Sequence, residues 1–387
     1  MIYRIITVTS ILFITPVLVF SQIFTQQEYP RSYFSNPLKI PIYLAGNFGE
    51  LRSNHFHMGI DIKTAQRENL PVHAAADGYI ARIKIEPGGF GRAIYINHPN
   101  GYTTVYCHLN KFAPKIEAYL KQQQYQQETW QIYLDLTPDL FPVKKGEFIA
   151  YSGNTGGSQG PHLHFEIRAT PEDVNLNPLF FGLGIPDNTR PAILRLAVYD
   201  RHKSTYEQSP KIVAVKRAGA GYITVPELIT LSTDKPSFAV TTYDTQSGTA
   251  NHNGVFQAVL YHNGQPVTGF RMNEISYNDT RYLNAHIDYR TRAKGGPYLQ
   301  HLSELPGYLH SIYTKAGGDG VLDISDGEAH AVRIQVSDAA GNAIDLNFKV
   351  KYNGAAITGS SLPGKMFYPL MLDVFESGDC EFYLGER

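Results

Sequence analysis

Polar and apolar side chains alternate along much of this 387-residue chain, a pattern typical of β-strands that bury one face. The pattern is sharpest over residues 160–167, where two histidines and a glutamate alternate with leucine, phenylalanine and isoleucine. His162, His164 and Glu166 therefore share one face of a predicted strand. Buried imidazole and carboxylate groups cost free energy unless they find partners, so this face predicts a metal or acid-base site. The alternative is a solvent-exposed edge strand that happens to be rich in histidine.

Further strand patterns precede this segment, at residues 40–44, 72–85, 92–98 and 102–109. Residues 113–141 interrupt them, because their apolar positions first follow helical spacing and then return to period two from Trp130 to Leu136. We therefore predict an antiparallel β-sheet domain over residues 22–188 that carries a helical insert at 113–141.

After Pro186 the chain consists of short strand patterns separated by turn signals, among them the typical hairpin turn Asn263-Gly264. Short strands at regular spacing predict an immunoglobulin-like β-sandwich over residues 189–354, with one short helix near 299–305. Residues 355–387 are predicted to start a further β segment or to form a tail. The predicted fold class is all-β dominated.

Composition and the N-terminal residues limit the functions to consider. The 34 Lys and Arg residues against 35 Asp and Glu residues give a net charge of -1, so there is no basic field for nucleic acid. Residues 1–21 combine Arg4, an apolar run and the small residue Ser21, as a signal peptide does. We expect the mature chain to be exported, to the periplasm or cell envelope or secreted, without a transmembrane segment.

The two cysteines, Cys107 and Cys380, are too few and too far apart in sequence to indicate a disulfide scaffold. Cys107 directly precedes His108, which raises the alternative of a thiol nucleophile. Neighbouring strand residues point to opposite faces, so a His108 that faces a site places Cys107 in the core. We expect a buried, unreactive Cys107.

A second group of polar residues lies upstream, in the H-x-x-x-D pattern of His57 and Asp61. Gly59 and the β-branched residues around it favour a loop that runs into a strand rather than a helix. His55 is an alternative to His57, because residues two apart on an extended chain face the same way.

A hydrolytic zinc site needs three protein ligands and a fourth position that is open to water. His57, Asp61 and His164 supply such a set for one zinc ion per chain, which would activate a water molecule at neutral pH. His108 and His162 are the candidates for moving protons beside it.

In this order and on an all-β background, these segments resemble the lysostaphin-like, LytM-type zinc endopeptidases, which cut the peptide part of bacterial peptidoglycan. The resemblance covers about residues 40–185. It rests on H-M-G-I-D at 57–61, Y-C-H-L at 106–109 and H-L-H at 162–164, with Gly-rich segments at 87–91 and 155–158. The insert and the C-terminal β region depart from a minimal member of that family.

The resemblance implies zinc ligands and a catalytic pair, and it leaves His55 without a role. The implied ligands are His57, Asp61 and His164, and the implied catalytic pair is His108 and His162.

The expected function is that of an exported zinc metalloendopeptidase that hydrolyses amide bonds in peptidoglycan cross-links. One alternative is a non-catalytic LytM-like protein that binds the wall and regulates other envelope hydrolases. Another is an exported protease that acts on proteins. In each case the C-terminal β-sandwich would contact the wall or another envelope protein.

Overall fold

The protein is described from a computed structural model, in which the described residues are 23–25, 27–307, 311–354 and the strands at 372–374 and 380–382. The predicted signal peptide, residues 1–21, lies outside the described residues, as does most of the predicted segment 355–387. Within the described part of the chain, no helix combines the length and apolar character that a membrane crossing requires.

The first half of the described chain is built of short antiparallel strands and one helix. In chain order these are β1 (Leu44–Gly46), β2 (Ile60–Lys63), β3 (Pro71–His73), β4 (Gly78–Ile85), β5 (Arg92–Asn97), β6 (Tyr102–Cys107), β7 (Leu109–Phe112), α1 (Pro114–Gln126), β8 (Ile132–Asp135), β9 (Pro142–Val143), β10 (Phe148–Ser152), β11 (His162–Ala169), β12 (Val174–Leu176) and a 3-10 turn (Pro178–Phe180). The main sheet has the order β1-β2-β11-β6-β5-β4-β8, and a smaller sheet has the order β3-β10-β7.

Strand β11 lies inside the main sheet, between β2 and β6, so the edge-strand alternative is wrong. Leu163, Phe165 and Ile167 are fully buried on one face, and Phe165 pairs with Ile60 of β2 and Tyr106 of β6. Each such buried side chain contributes about 1.5–3 kcal/mol. A slip of one residue would turn all of them to the other face, so the core fixes the register of the polar residues between them.

The predicted helix and strand of the insert are confirmed as α1 and β8. Helix α1 begins at Pro114, whose fixed φ suits a first helical turn. Ile116 and Leu120 are buried against the core, and the carboxylate of Glu117 accepts a hydrogen bond from Arg92 of β5. The helix therefore packs on the body of the domain.

The second half of the chain consists of strands, most of which form one large sheet, together with two short helices and a 3-10 turn. Its elements are β13 (Ala192–Asp200), β14 (Lys211–Ala218), β15 (Gly221–Leu231), β16 (Pro236–Tyr243), β17 (Gln257–His262), β18 (Gln265–Arg271), β19 (Glu274–Ser276), a 3-10 turn (Thr280–Tyr282), α2 (Leu283–His286), α3 (Tyr289–Ala293), β20 (Gln300–His301), β21 (Tyr313–Lys315), β22 (Ala329–Ser337) and β23 (Ala343–Tyr352), followed by the antiparallel pair β24 (Leu372–Val374) and β25 (Cys380–Phe382). The sheet order is β20-β16-β13-β14-β15-β23-β22-β17-β18-β21, in which β15 and β23 are parallel.

The all-β fold class is confirmed, and the predicted hairpin turn is present, since Asn263 and Gly264 join β17 to β18 with φ values of 48° and 83°. The predicted helix near 299–305 is wrong. Residues 300–301 form β20, whose ladder to β16 pairs His301 with Ala239, and the helices α2 and α3 lie before it. The backbone N–H and C=O groups of this segment therefore pair with β16 instead of forming helical hydrogen bonds. The immunoglobulin-like type and the domain boundary at 188 stay predictions.

The two halves of the chain are joined through a common hydrophobic core and a common β-sheet. Phe48, Phe56 and Met58, from the loop between β1 and β2, belong to the hydrophobic core of the second half. Strand β12 pairs with β19, where Leu176 lies opposite Glu274, so the main sheet gains a strand from the second half. Each half therefore completes the packing of the other.

Candidate metal centre

Three predicted ligands converge where β2 and β11 lie side by side. Asp61 and His164 are direct partners in the antiparallel register, so their side chains project from the same face. His57 reaches them from the loop before β2. Its Nε2 lies 3.0 Å from Asp61 Oδ1 and 3.0 Å from His164 Nδ1. The third side, from His164 Nδ1 to Asp61 Oδ1, measures 2.9 Å, and all three residues are buried.

Hydrogen bonds outside this triangle indicate which ring nitrogens carry protons. His57 Nδ1 lies 2.7 Å from the carbonyl oxygen of Asn47, which can only accept, so Nε2 of a neutral ring keeps a lone pair. His164 Nε2 donates to Glu166 Oε1 at 3.0 Å, which leaves the Nδ1 lone pair pointing inward. Two nitrogen lone pairs and a carboxylate oxygen therefore face one another, and a cation between them removes their repulsion.

This donor set fits zinc. Imidazole nitrogens with one carboxylate oxygen are ligands that zinc takes in catalytic sites. Tetrahedral zinc with bonds of about 2.0–2.1 Å separates its ligand atoms by about 3.3 Å, close to the 2.9–3.0 Å of the triangle. A hydrogen-bond acceptor behind each histidine is also typical of ligating imidazoles.

The charges of the pocket favour a cation. Burial opposes charge on His164, but its contacts with Asp61 and Glu166 raise its pKa to about 9. Burial likewise opposes charge on Asp61, yet its pKa is held well below the ordinary value by His57, His162 and His164. Positive charge at this point is therefore stabilised, whether a proton or a metal ion carries it.

Glu166, which sequence analysis placed on the ligand face without a role, is fully buried behind His164. Its Oε2 accepts a hydrogen bond from Arg168 Nε at 2.7 Å, and its Oε1 accepts one from the hydroxyl of Tyr277 at 3.1 Å. Burial works against ionisation, but Arg168 and then His164 lower its pKa to about 2. An ionised carboxylate thus orients His164, and Tyr277 contributes to it from the second half of the chain.

His108 and His162 lie beside the triangle, with ring centroids 4.8 Å apart. His108 Nδ1 lies 2.8 Å from the carbonyl oxygen of Thr155, which leaves Nε2 as an acceptor, and burial lowers the pKa of His108 to about 4. His162 Nδ1 is oriented in the same way by the carbonyl oxygen of Gly160 at 2.8 Å, and its Nε2 lies 3.4 Å from Asp61 Oδ1. Two imidazoles with available Nε2 atoms therefore flank the ligands.

The backbone of His108 is strained, with a φ of 58° that residues with a side chain rarely adopt. This conformation breaks the alternation of β6 and β7 at His108, so the ring direction there does not follow from the strand pattern. Such strain persists where the surroundings enforce it and clusters at functional sites.

Arg52 was not among the predicted site residues, although its Nη2 lies 2.9 Å from Asp61 Oδ2. The guanidinium binds one carboxylate oxygen and leaves the other to the triangle. Glu50 lies near by, 3.7 Å from the same guanidinium nitrogen, and burial is the main cause that raises its pKa to about 7. A second carboxyl group thus lies beside Arg52, next to the ligand set.

Gly59, in the loop between His57 and Asp61, is required by close packing. A Cβ at this position would lie 2.5 Å from the carbonyl oxygen of Phe165 and 3.0 Å from His164 Nε2. The H-x-G-x-D pattern therefore has a physical reason, because β11 and its ligand histidine pass directly against the glycine.

The two predicted Gly-rich segments also meet at the site. Gly91, with a φ of 63°, lies so close to the second segment that an added Cβ would be 2.6 Å from the backbone nitrogen of Gly156. Phe90 stacks on His164 with ring centroids 5.6 Å apart, while Thr155 holds His108. The segments form the wall of the site beside both histidines.

The structure separates the alternatives that sequence analysis left open. His55 is exposed and its Nδ1 contacts Asn54 at 3.0 Å, outside the triangle. Cys107 is a free, fully buried thiol, as expected, and burial raises its pKa well above the ordinary value. A thiol nucleophile at Cys107 is therefore excluded.

Residues that sequence analysis missed lie in loops or in the second half: Asn47, Arg52 and Tyr277. Their signal was weak, since no periodicity links a loop or a distant segment to the histidine strand. Glu166 was the exception, because its place on the ligand face could be read from the alternation.

The sequence of this region matches the model of peptidase family M23 over residues 55–125 and 140–178. These ranges hold all five predicted site residues, and the gap between them falls in the insert after α1. The first half of the chain therefore carries a peptidase family M23 domain.

Similar proteins include an uncharacterized metalloprotease of Haemophilus influenzae, 38% identical over 119 residues, which are 31% of this chain and 20% of that protein. The DD-carboxypeptidase/endopeptidase Mpg of Neisseria meningitidis is 32% identical over 168 residues, 43% of this chain and 30% of that protein. The chain thus spans a fifth to a third of the length of these relatives. The catalytic domain of the prophage-encoded M23 protein EnpA from Enterococcus faecalis is 21% identical, covers 38% of this chain and 95% of its own, and has a TM-score of 0.28. That score is low, and the family assignment rests on the sequence match.

Proposed function

We propose that this protein is an exported, zinc-dependent endopeptidase that hydrolyses amide bonds in peptidoglycan cross-links. The observation that carries the proposal is the convergence of two imidazole lone pairs and one carboxylate oxygen at 2.9–3.0 Å, beside two further imidazoles. The family match supports peptidase chemistry, and the Neisseria relative, by its name, acts as a DD-carboxypeptidase/endopeptidase.

His57, Asp61 and His164 would hold the zinc ion. When bound, zinc polarises a substrate carbonyl and lowers the pKa of a water molecule to about 7. Asn47 and Glu166 keep the two ligand histidines in the tautomers that bind a metal, by the hydrogen bonds described above.

His108 and His162 would move the protons of the reaction. A neutral His108 accepts a proton at Nε2 from the attacking water, because its Nδ1 proton is already donated to the carbonyl oxygen of Thr155. Amide hydrolysis then requires one proton on the leaving nitrogen, which an imidazolium can return. His162, whose Nε2 also faces the ligands, is placed to stabilise charge that develops on the carbonyl oxygen.

Export is supported by the signal-like residues 1–21. Cell fractionation tests it. The mature chain, cut near Ser21, should be found in the envelope or the medium.

Purified cross-linked muropeptide dimers test the activity. The zinc-loaded protein should release uncross-linked peptides, a chelator should stop the reaction, and His108→Ala should bind zinc but release little product. Intact dimers beside tight binding of sacculi would instead support a wall-binding regulator. Cleavage of unfolded protein substrates but not of dimers would support a general protease.

A further inference from the structure

A second group of carboxylates meets at the junction of the two halves. Asp187 lies in the segment that joins them, Asp244 directly follows β16, and Asp338 opens the turn between β22 and β23. One carboxylate oxygen of each residue lies within 4.8 Å of those of the other two. Asp244 is 5% exposed and Asp338 is 4% exposed. This group is far in sequence from the histidine site and takes no part in it.

In the part of the chain that the structure describes, this group has no oppositely charged partner. Burial and the like charges of Asp338 and Asp187 raise the pKa of Asp244 to about 7. Neutral groups satisfy the other two residues: Asp187 Oδ1 accepts hydrogen bonds from Ser247 N and Oγ at 3.0 Å, and Asp338 Oδ1 accepts one from Asn342 N at 2.8 Å. Two buried carboxylates and the half-buried Asp187 thus converge, and no Lys or Arg among the described residues forms an ion pair with them.

Two buried oxygens without partners belong to residues that are paired directly with each other. Oδ1 of Asp244 has no hydrogen-bond partner, and neither has Oδ1 of Asn253, which is 4% exposed. Asp244 and Asn253 are paired in an antiparallel bridge, with backbone N–H···O distances of 2.9 and 2.8 Å. Directly paired residues project their side chains to the same face, so the side chain of Asn253 lies on the same face as the carboxylate of Asp244. A buried polar oxygen left without a partner costs free energy that a bound cation would recover.

We infer that Asp187, Asp244, Asp338 and Asn253, called here the junction site, bind one calcium ion. Carboxylate and amide oxygens are the ligands of a hard cation, and the group offers no nitrogen or sulfur donor that would favour zinc. Oxygen ligands from three separate segments of the chain are not expected to form a regular octahedron. Calcium tolerates varied coordination geometry, whereas magnesium demands a near-ideal octahedron, so calcium suits this site better.

The junction site would hold a segment that supports the histidine site. Residues 245–252 connect Asp244 to Asn253, and both this segment and the following Gly254 contact the first half. The side chain of Gln246 accepts a hydrogen bond from Leu44 N at 2.8 Å and donates one to the carbonyl oxygen of Ile42 at 3.0 Å. Gly254 exchanges hydrogen bonds of 2.7 and 2.9 Å with the side chain of Asn47. The backbone carbonyl oxygen of the same Asn47 accepts a hydrogen bond from His57 Nδ1. Calcium at the junction site would therefore stabilise the position of a metal ligand that it does not contact.

Calcium binding and thermal unfolding test the inference on the dialysed, full-length mature chain, compared in 10 mM calcium chloride and 10 mM magnesium chloride. We expect a Kd for calcium of about 10⁻⁴ to 10⁻³ M, as in extracellular modules. Calcium at 10 mM should then raise the unfolding midpoint by roughly 2 to 4 °C, and magnesium should raise it much less. Terbium luminescence that calcium displaces gives a second readout.

Asp244→Asn keeps the shape and removes one charge, so it should abolish the calcium shift. Asn253→Ala keeps all three charges and should weaken calcium binding at least tenfold. Asp135→Asn is the matched control, because Asp135 is an exposed residue paired with Arg82 and should leave the shift unchanged. The inference is wrong if calcium leaves the midpoint unchanged while Asp244→Asn raises it in both salts, since a proton on Asp244 would then balance the group. Neither readout depends on peptidase activity.

Discussion

Glu166→Gln is the substitution that most directly tests how the metal centre is built. The carboxylate is fully buried, 3.0 Å from His164 Nε2, and ionised because Arg168 and His164 lower its pKa to about 2. Gln keeps the size of the side chain and an acceptor atom but removes the charge. It therefore isolates the electrostatic support of the ligand.

Loss of a hydrogen-bonded group behind a ligating histidine weakens metal binding by about 10- to 100-fold. This corresponds to about 1.4–2.7 kcal/mol of binding free energy. The substitution also leaves Arg168, which is 4% exposed, with only Asp173 Oδ1 at 3.0 Å as a charged partner. Breaking a buried pair costs about 3–5 kcal/mol, and the acceptor that Gln retains places the expected loss of folding stability near the lower end.

Zinc affinity is measured by competition with a chromophoric chelator, and stability by urea unfolding of the metal-free chain. Tyr277→Phe is the matched control, because it removes the 3.1 Å hydrogen bond to the same carboxylate but leaves the charge. We expect less than a threefold change in zinc affinity for the control. A Glu166→Gln chain that is folded and binds zinc as tightly as wild type would refute the assignment of Glu166 as a positioning residue.

Three further predictions concern the site and its support. His108→Ala should lower the turnover number by about 10²- to 10⁴-fold and retain zinc, as measured by steady-state kinetics and metal analysis, whereas His55→Ala should change neither the turnover number nor the zinc content. Gly59→Ala should lose zinc and lower the unfolding midpoint, because its Cβ would lie 2.5 Å from the carbonyl oxygen of Phe165; wild-type zinc content would contradict this. A chain that ends at residue 186 should be insoluble or lack near-ultraviolet circular dichroism, because the buried core contacts of Met58 and its neighbours are lost; a folded, zinc-binding fragment would show that the halves are independent.

The alternation of residues 160–167 was sufficient to predict the central strand and the ligand face, because a sheet with a buried side imposes period two. The convergence of His57, Asp61 and His164 was predictable from donor types, with the family resemblance to exclude His55. The hydrogen bonds that hold these ligands in place were not predictable, because Tyr277 and Asn47 act through single contacts that no local sequence pattern encodes. The prediction of a helix near 299–305 was wrong because the spacing of apolar residues in a short segment does not reveal a strand partner. Here the partner is β16, in which Ala239 pairs with His301.

The pairing of β12 with β19 sets an order of events for the newly made chain. The strand that extends the peptidase sheet, β19, lies about 100 residues after the last ligand, so synthesis must pass residue 276 before the sheet that carries the ligands is complete. Under the proposed function the chain crosses a membrane before it meets its substrate, so its metal centre would remain incomplete while the chain is still being exported. Stalled chains of increasing length should begin to bind zinc tightly only once this segment has emerged, and tight binding by a chain that stops near residue 190 would disprove the order.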